Sequence, residues 1–184
     1  MHRRLGVVLV LLVLATGCGG SDEPALTPAP ATATLPAGVD VVVRKVVDGD
    51  TIDVSGGERV RLIGIDTPES VAPDRPVGCF GREASRFTTS LVPPGTPVRL
   101  VGDVEQRDRF GRLLAYVYRQ ADGLFVNAEL LRQGYAQLLT IPPNIAHTDE
   151  LTAIARRARE GSQGRWAACT RLPDGRVAPA SSGR

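Results

Sequence analysis

The sequence predicts a mainly β, α+β domain: a small closed barrel of five short strands with about three helices at its ends. Three observations carry this. The apolar residues are mostly Val, Leu and Ala, and Val-rich stretches suit a pleated surface. Turn residues punctuate the chain at short intervals, as at Asp48-Gly49-Asp50 and Gly56-Gly57. Helical spacing of apolar residues is confined to a few segments between those runs.

In chain order, Asp40 to Val47 reads as a Val-rich strand, Asp48-Gly49-Asp50 as a turn and Thr51 to Val54 as a second strand. Gly56-Gly57 turns the chain into a third strand, Glu58 to Ile65, so these strands form an antiparallel meander. Asp66-Thr67-Pro68-Glu69 then leaves the sheet. Gly81 to Leu91 holds Ala84, Phe87 and Leu91 at helical spacing, and Pro93-Pro94-Gly95 stops it. Pro97 to Val104 and Arg112 to Arg119 are two more strands, joined by the charged loop Glu105 to Gly111. Asn127 to Gln133 is a short helix that Gly134 terminates. Asp149 to Glu160 is a third helix, with Leu151, Ile154, Ala155 and Ala158 on one side. Short strands with helices inserted at the ends suit a barrel of the OB type.

The folded domain is expected over residues 39–170. Ahead of it, residues 1–17 read as a signal peptide: Arg3 and Arg4 precede an apolar run from Leu5 to Leu14, shorter than the roughly 20 residues a membrane span needs. Ala15-Thr16-Gly17-Cys18 resembles a bacterial lipobox, which would make Cys18 the lipidated residue and the anchor to a membrane. An ordinary secretory signal is the alternative, and both export the chain, to the outer face of the cell membrane or beyond. Residues 18–38 hold hardly any large apolar side chain and read as a flexible tether; residues 171–184 read as a disordered tail. With Cys18 assigned to lipid, Cys79 and Cys169 remain as an even pair, expected to form a disulfide rather than two free thiols. A monomer is expected.

Charge excludes one class of function. The 22 basic and 20 acidic residues give a formal net charge of +2, and Arg3 and Arg4 lie in the signal segment. The remainder is neutral, unlike a nucleic-acid binder that relies on bulk attraction. Any phosphate recognition must rest on a few placed arginines.

Three segments concentrate charge where the fold does not demand it: Asp48-Gly49-Asp50-Thr51, Arg61 to Glu69, and Asp108-Arg109-Phe110-Gly111-Arg112. Each alone reads as a turn or as surface. Together they say more. By period two, Arg61 shares a strand face with Ile63 and Ile65, a costly place for a charge without a partner. Asp66 lies just beyond that strand, and the meander brings the turn carrying Asp50 towards it. Two carboxylates, a carbonyl and waters make an oxygen-rich site of the kind hard divalent cations take. No His or Cys cluster competes for a softer metal, since His2 lies in the signal and His147 is isolated. A polyanion would then be held by the cation and by guanidinium groups.

These three segments, in this order, resemble the signature motifs of the staphylococcal nuclease (thermonuclease) family. The similarity runs from about Val46 to Trp166 and takes in Gly81-Arg82-Glu83-Ala84, Leu114 to Tyr118 and Asn127 to Gly134. The resemblance implies that Asp50 and Asp66 are Ca²⁺ carboxylates, that Thr67 lends the ion a backbone carbonyl, and that Asp48 acts on it through water. It implies that Glu69 positions or deprotonates the attacking water, and that Arg61 and Arg112 bind the target phosphate and stabilise its charge. The implied reaction is hydrolysis of DNA or RNA to 3′-phosphorylated products. Departures from the family lie in nucleotide binding. Phe110 takes one tyrosine position, and Thr140 and Pro142 fall where base-contacting tyrosines stand, whereas Arg109 matches a basic residue. The acid–arginine set is kept and the stacking set eroded, which implies a weaker grip on bases. The competing reading is an OB module without activity that binds nucleic acid or protein.

Overall fold

The computed structural model describes residues 34–70 and 77–180. β1 (Val39–Asp48), β2 (Thr51–Val54) and β3 (Arg59–Leu62) form the antiparallel meander, with Asp48 opposite Thr51 and Thr51 opposite Arg61. The chain continues through β4 (Gly64–Asp66), α1 (Gly81–Leu91), β5 (Pro97–Val101) and β6 (Leu113–Arg119). It ends with α2 (Val126–Arg132), β7 (Gln137–Leu139), α3 (Thr148–Glu160), α4 (Arg165–Ala168) and the hairpin β8 (Cys169–Arg171) and β9 (Val177–Pro179). The barrel closes in the order β1-β2-β3-β6-β5, with β6 antiparallel to β5 but parallel to β3. This is an OB-type barrel, mainly β.

Strand alternation fills it. Val60 and Leu62 of β3 and Val98 and Leu100 of β5 point inward, while Arg59, Arg61 and Arg99 point out. Val43, Ile52, Val54, Ala115 and Val117 complete the interior. α2 lies against this core through Val126, Leu130 and Leu131, and α3 through Leu151, Ile154 and Ala158, spaced along one helical face. Each fully buried Leu or Val contributes roughly 1.5–3 kcal/mol.

Three differences from the sequence expectations have physical causes. The strand expected from Glu58 to Ile65 breaks at Ile63 and restarts as β4. Gly64 sits at φ +79°, and a Cβ there would lie 2.5 Å from Leu151 Cδ1, so α3 packs against bare backbone. Asn127, fully buried on α2, clamps the break: its Oδ1 accepts from Val117 N at 3.0 Å, and its Nδ2 donates to Ile63 O at 2.9 Å. Because of the break, Arg61 lies on the face opposite Val60 and Leu62 and not beside Ile63 and Ile65. The strand expected from Pro97 to Val104 stops at Val101, where Asp103 turns aside to accept from Tyr116 Oη at 3.0 Å and Ala146 N at 2.9 Å.

The third difference is the segment expected to be a disordered tail over 171–184. Through Ala180 it is ordered as the β8–β9 hairpin, and residues 181–184 lie outside the described residues. Pro173-Asp174-Gly175 supplies the turn, with Gly175 at φ +83°. A disulfide between Cys79 and Cys169 (Cα–Cα 6.2 Å) ties the hairpin to the start of α1. The signal segment, Cys18 and most of the tether also lie outside the described residues.

Candidate active site

Asp50 sits in the β1–β2 turn, and that turn is anchored from below. Thr88 on α1 donates through Oγ1 to Gly49 O at 2.6 Å, and Leu62 N donates to Asp50 O at 2.9 Å. The Asp50 carboxylate is buried and hydrogen-bonded through both oxygens. Oδ1 accepts from Thr51 Oγ1 at 3.0 Å, and Oδ2 accepts from Thr67 N at 2.8 Å and Thr67 Oγ1 at 3.0 Å. One aspartate thus fixes the first residue after β4 to the first hairpin, across 17 positions of sequence.

Arg61 joins the pieces. Its Nη1 donates to Leu62 O at 2.6 Å and Ile65 O at 2.8 Å, and its Nη2 lies 3.2 Å from Asp50 Oδ2 and 3.3 Å from Asp66 Oδ1. The side chain is only 13% exposed, so a partner was required, and two carboxylates provide it. Asp66 is more open, and its Oδ2 accepts from Gln137 Nε2 at 2.9 Å, across the β4–β7 pair.

On the other side of Asp50 stand Asp48, Glu69 and Ser70. Asp48 Oδ1 accepts from Gly49 N at 2.8 Å and Ser70 Oγ at 2.5 Å. Glu69 Oε1 accepts from Ser70 N at 3.1 Å, and its carbonyl accepts from Gly78 N at 2.8 Å. The backbone there is tightly stacked: a Cβ on Gly81 would lie 2.4 Å from Glu69 O. Burial pushes the Asp48 carboxyl above the usual aspartate range; the hydrogen bonds from Ser70 and Gly49 oppose this, and the charges of Asp50 and Glu69 add to it.

Arg112 is reached from the other rim. Asp108 holds it twice, accepting from its backbone N at 3.0 Å and from Nε at 2.6 Å. Burial pushes Asp108 up, but those bonds and the Phe110 N–H outweigh it, so its carboxyl stays below the usual range. Arg61, Arg109, Phe110 and Arg112 line one open cavity of about 460 Å³, whose far wall includes Leu139, Ile141 and Asn144. Phe110 is 70% exposed, with the Arg109 and Arg112 guanidinium groups 4.7 and 5.5 Å from its ring centre. Thr140 and Pro142 leave this wall to the flanking Leu139 and Ile141, so it is apolar rather than aromatic.

The acids are oxygen donors alone, which is the chemistry a hard dication takes. Asp50 Oδ1 and both Asp66 oxygens each accept a single hydrogen bond, which leaves lone pairs that a cation could take. Among the described residues no three acids, His or Cys stand close enough to hold a metal by themselves. A cation here would need waters or substrate oxygens to complete its shell.

Sequence reasoning missed two residues of this arrangement, Gln137 and Ser70, and left a third, Asp108, without a role. Gln137 sits in a strand too short to show a period. Ser70 follows the last residue of its motif. Asp108 does carry a signal, standing four residues before Arg112, and that spacing is the one at which the two side chains meet.

Residues 59–168, from β3 to α4, match the family model described as staphylococcal nuclease homologue. A thermonuclease of Staphylococcus intermedius is 42% identical over 129 residues, covering 68% of this chain and 73% of that protein. A thermonuclease of Staphylococcus hyicus is 36% identical over 127 residues, 67% of this chain and 73% of that one. Endonuclease YncB of Bacillus subtilis is 33% identical over 132 residues, 70% of this chain and 62% of that one. The matched residues include the whole lining of the arginine cavity, and by this match the chain belongs to the staphylococcal nuclease family.

Proposed function

We propose that this chain is a Ca²⁺-dependent nuclease that hydrolyses phosphodiester bonds of DNA or RNA and leaves 3′-phosphorylated products. The coarser part, a hydrolase of phosphodiester bonds, stands on family membership and on relatives named thermonuclease and endonuclease. The single observation that carries the finer part is Arg61, which touches both Asp50 and Asp66 while lining the same cavity as Arg112.

The roles follow from chemistry. A phosphodiester seated in the cavity meets two guanidinium groups, each fixed in place before the substrate arrives: Arg61 by two carbonyls and two carboxylates, Arg112 by Asp108. Donors that need not reorganise stabilise the charge that grows on the phosphoryl oxygens in the transition state. Glu69 takes or directs the proton of the attacking water, its main chain held by Gly78 so that the carboxylate has a fixed origin. Asp50, Asp66 and the Thr67 carbonyl would hold the Ca²⁺, with Asp48 acting through water, and the bound ion would supply positive charge beside the phosphate. Arg109 and Phe110 would meet the neighbouring part of the nucleotide. The sequence of residues 1–18 supports an activity outside the cell, on a lipid anchor at Cys18 or released.

The test is digestion of plasmid and single-stranded DNA by the purified protein with Ca²⁺, with a chelator, and in Glu69→Gln and Arg112→Ala variants. Loss of one positioned donor is expected to lower kcat by about 10²–10³-fold. Digestion that persists undiminished in the chelator or in both variants would refute the mechanism. DNA that is bound but left intact under every condition would favour the binding module.

A further inference from the structure

Behind Asp66 lies a group of arginines that the reaction above does not use. Arg165, on α4, is buried, with a relative exposure of 9%, and its Nη1 donates to Gln137 Oε1 at 3.0 Å. Arg159 of α3 stacks on the Trp166 ring at 4.5 Å, Arg165 on the same ring at 5.1 Å. Arg171 of β8 completes the lining, with a distant 3.4 Å approach to Gly175 O. The three surround a cavity of about 290 Å³ with Gln137 at one side.

The group is rich in donors and poor in acceptors. Several arginines of the domain hold a carboxylate, as Arg59 meets Asp53, Arg99 meets Asp40, Arg107 meets Glu58 and Arg119 meets Asp122; other single arginines do not, but these three unpaired ones line one cavity. None of Arg159, Arg165 and Arg171 has a carboxylate within ion-pair reach among the described residues. Trp166 Nε1, another buried donor, also lacks an acceptor there. Burial weakens the hold of Arg165 on its proton, Asp66 opposes this, and the like charges of Arg171 and Arg159 add to it. Like charges gathered around a partly enclosed space, without a counter-charge, are stabilised by an anion that enters it.

The place of the cavity says which anion. Arg165, Gln137, Asp66 and Arg61 form one continuous hydrogen-bonded chain, with links of 3.0, 2.9 and 3.3 Å. Two side chains, Gln137 and Asp66, therefore separate Arg165 from Arg61 of the cleavage pocket. We propose that the cavity is a second phosphate subsite, in which Arg159, Arg165 and Arg171 hold a backbone phosphate some nucleotides from the one being cut. This rests on the nuclease reading. It gives a protein of small net charge a local grip on its polyanion and offsets the apolar wall where stacking side chains are absent.

The test uses the full chain and an Arg159→Ala/Arg171→Ala double variant, both positions being exposed. Binding of a fluorescein-labelled ten-nucleotide single strand is measured in chelator over a salt series. Turnover of the ten-mer and of a dinucleotide is measured with Ca²⁺. The variant is expected to bind the ten-mer roughly tenfold more weakly, and the slope of log Kd against log salt should fall by about 0.7 for each phosphate the variant no longer neutralises. Dinucleotide kcat/KM should not change, because it is too short to reach the cavity. Equal losses on both substrates would overturn the proposal, as would unchanged ten-mer binding. So would a loss confined to inorganic phosphate, or to phosphatidylglycerol vesicles, with the ten-mer still held. Should the wild type cut neither substrate while the variant still loses ten-mer affinity and salt slope, the nuclease reading fails and the subsite stands.

Discussion

Asn127→Ala tests whether the strand break at Ile63 is what positions the acids. The side chain is fully buried and satisfies two main-chain groups from different strands, Val117 N at 3.0 Å and Ile63 O at 2.9 Å. Truncation leaves both without a partner in an apolar interior. Each orphaned group costs about 1–3 kcal/mol, so the variant should lose roughly 2–6 kcal/mol. For a domain of this size that corresponds to a fall in Tm of roughly 5–20 °C. Calorimetry or urea denaturation reads it directly.

A second readout separates stability from geometry. Ile63 O is the last carbonyl before Gly64 and β4, and β4 ends on Asp66. With the clamp gone, Asp66 should shift relative to Asp50 and Arg61, and misplacement by about 1 Å can cost about 10²-fold in rate. Activity measured well below the variant's Tm should therefore fall further than the unfolded fraction explains. Asn127→Asp sharpens the test: it keeps an acceptor for Val117 but sets a buried carboxylate against the Ile63 carbonyl, and should be worse than alanine. A stability change under about 0.5 kcal/mol for Asn127→Ala, or wild-type stability in Asn127→Asp, would refute the reasoning.

Three further outcomes follow from other parts of the site. Asp48 binds its proton more tightly in the folded protein than in the unfolded chain, chiefly through burial, so its ionised form costs stability above the raised pKa and that cost vanishes as pH falls below the ordinary carboxylate value. Asp48→Asn should thus raise the denaturation midpoint at neutral pH and leave it nearly unchanged at about pH 3; an equal shift at both would remove the electrostatic explanation. The Cys79–Cys169 bond closes a loop with a sequence separation of 90, which in the chain-entropy model stabilises by about 4–5 kcal/mol. The Cys79→Ser/Cys169→Ser variant should denature at markedly lower urea, and matching midpoints would contradict this. Gly81→Ala would drive a Cβ into the Glu69 carbonyl, so kcat should fall roughly tenfold or more while Ca²⁺ affinity changes little; an active variant would show that the Glu69 backbone can yield.

Most barrel elements were legible because their signals are local. Thr51–Val54 and Gly81–Leu91 appear with the bounds the turn and helix patterns mark. What was not legible depends on packing between segments distant in sequence. The break at Ile63 needs Leu151 pressed on Gly64 and Asn127 on Ile63, and nothing near Gly64 announces either. β7 and the β8–β9 hairpin are each too short for a period, and the hairpin is held at Cys169 by a bond to residue 79.

Arg61 is the instructive residue. Period-two reasoning set it on the wrong face, yet the demand that a largely buried guanidinium find compensation was sound, because that demand does not depend on which face is buried. The compensation comes from both sides of the break: Leu62 O before it, Ile65 O and Asp66 after it, and Asp50 from the neighbouring hairpin. A straight strand would carry residue 65 away from residue 61 along the sheet. The break folds the Ile65 carbonyl back onto the guanidinium instead. The irregularity that defeated the strand pattern is therefore what brings Asp66 to an arginine that the β2–β3 pairing already sets beside Asp50.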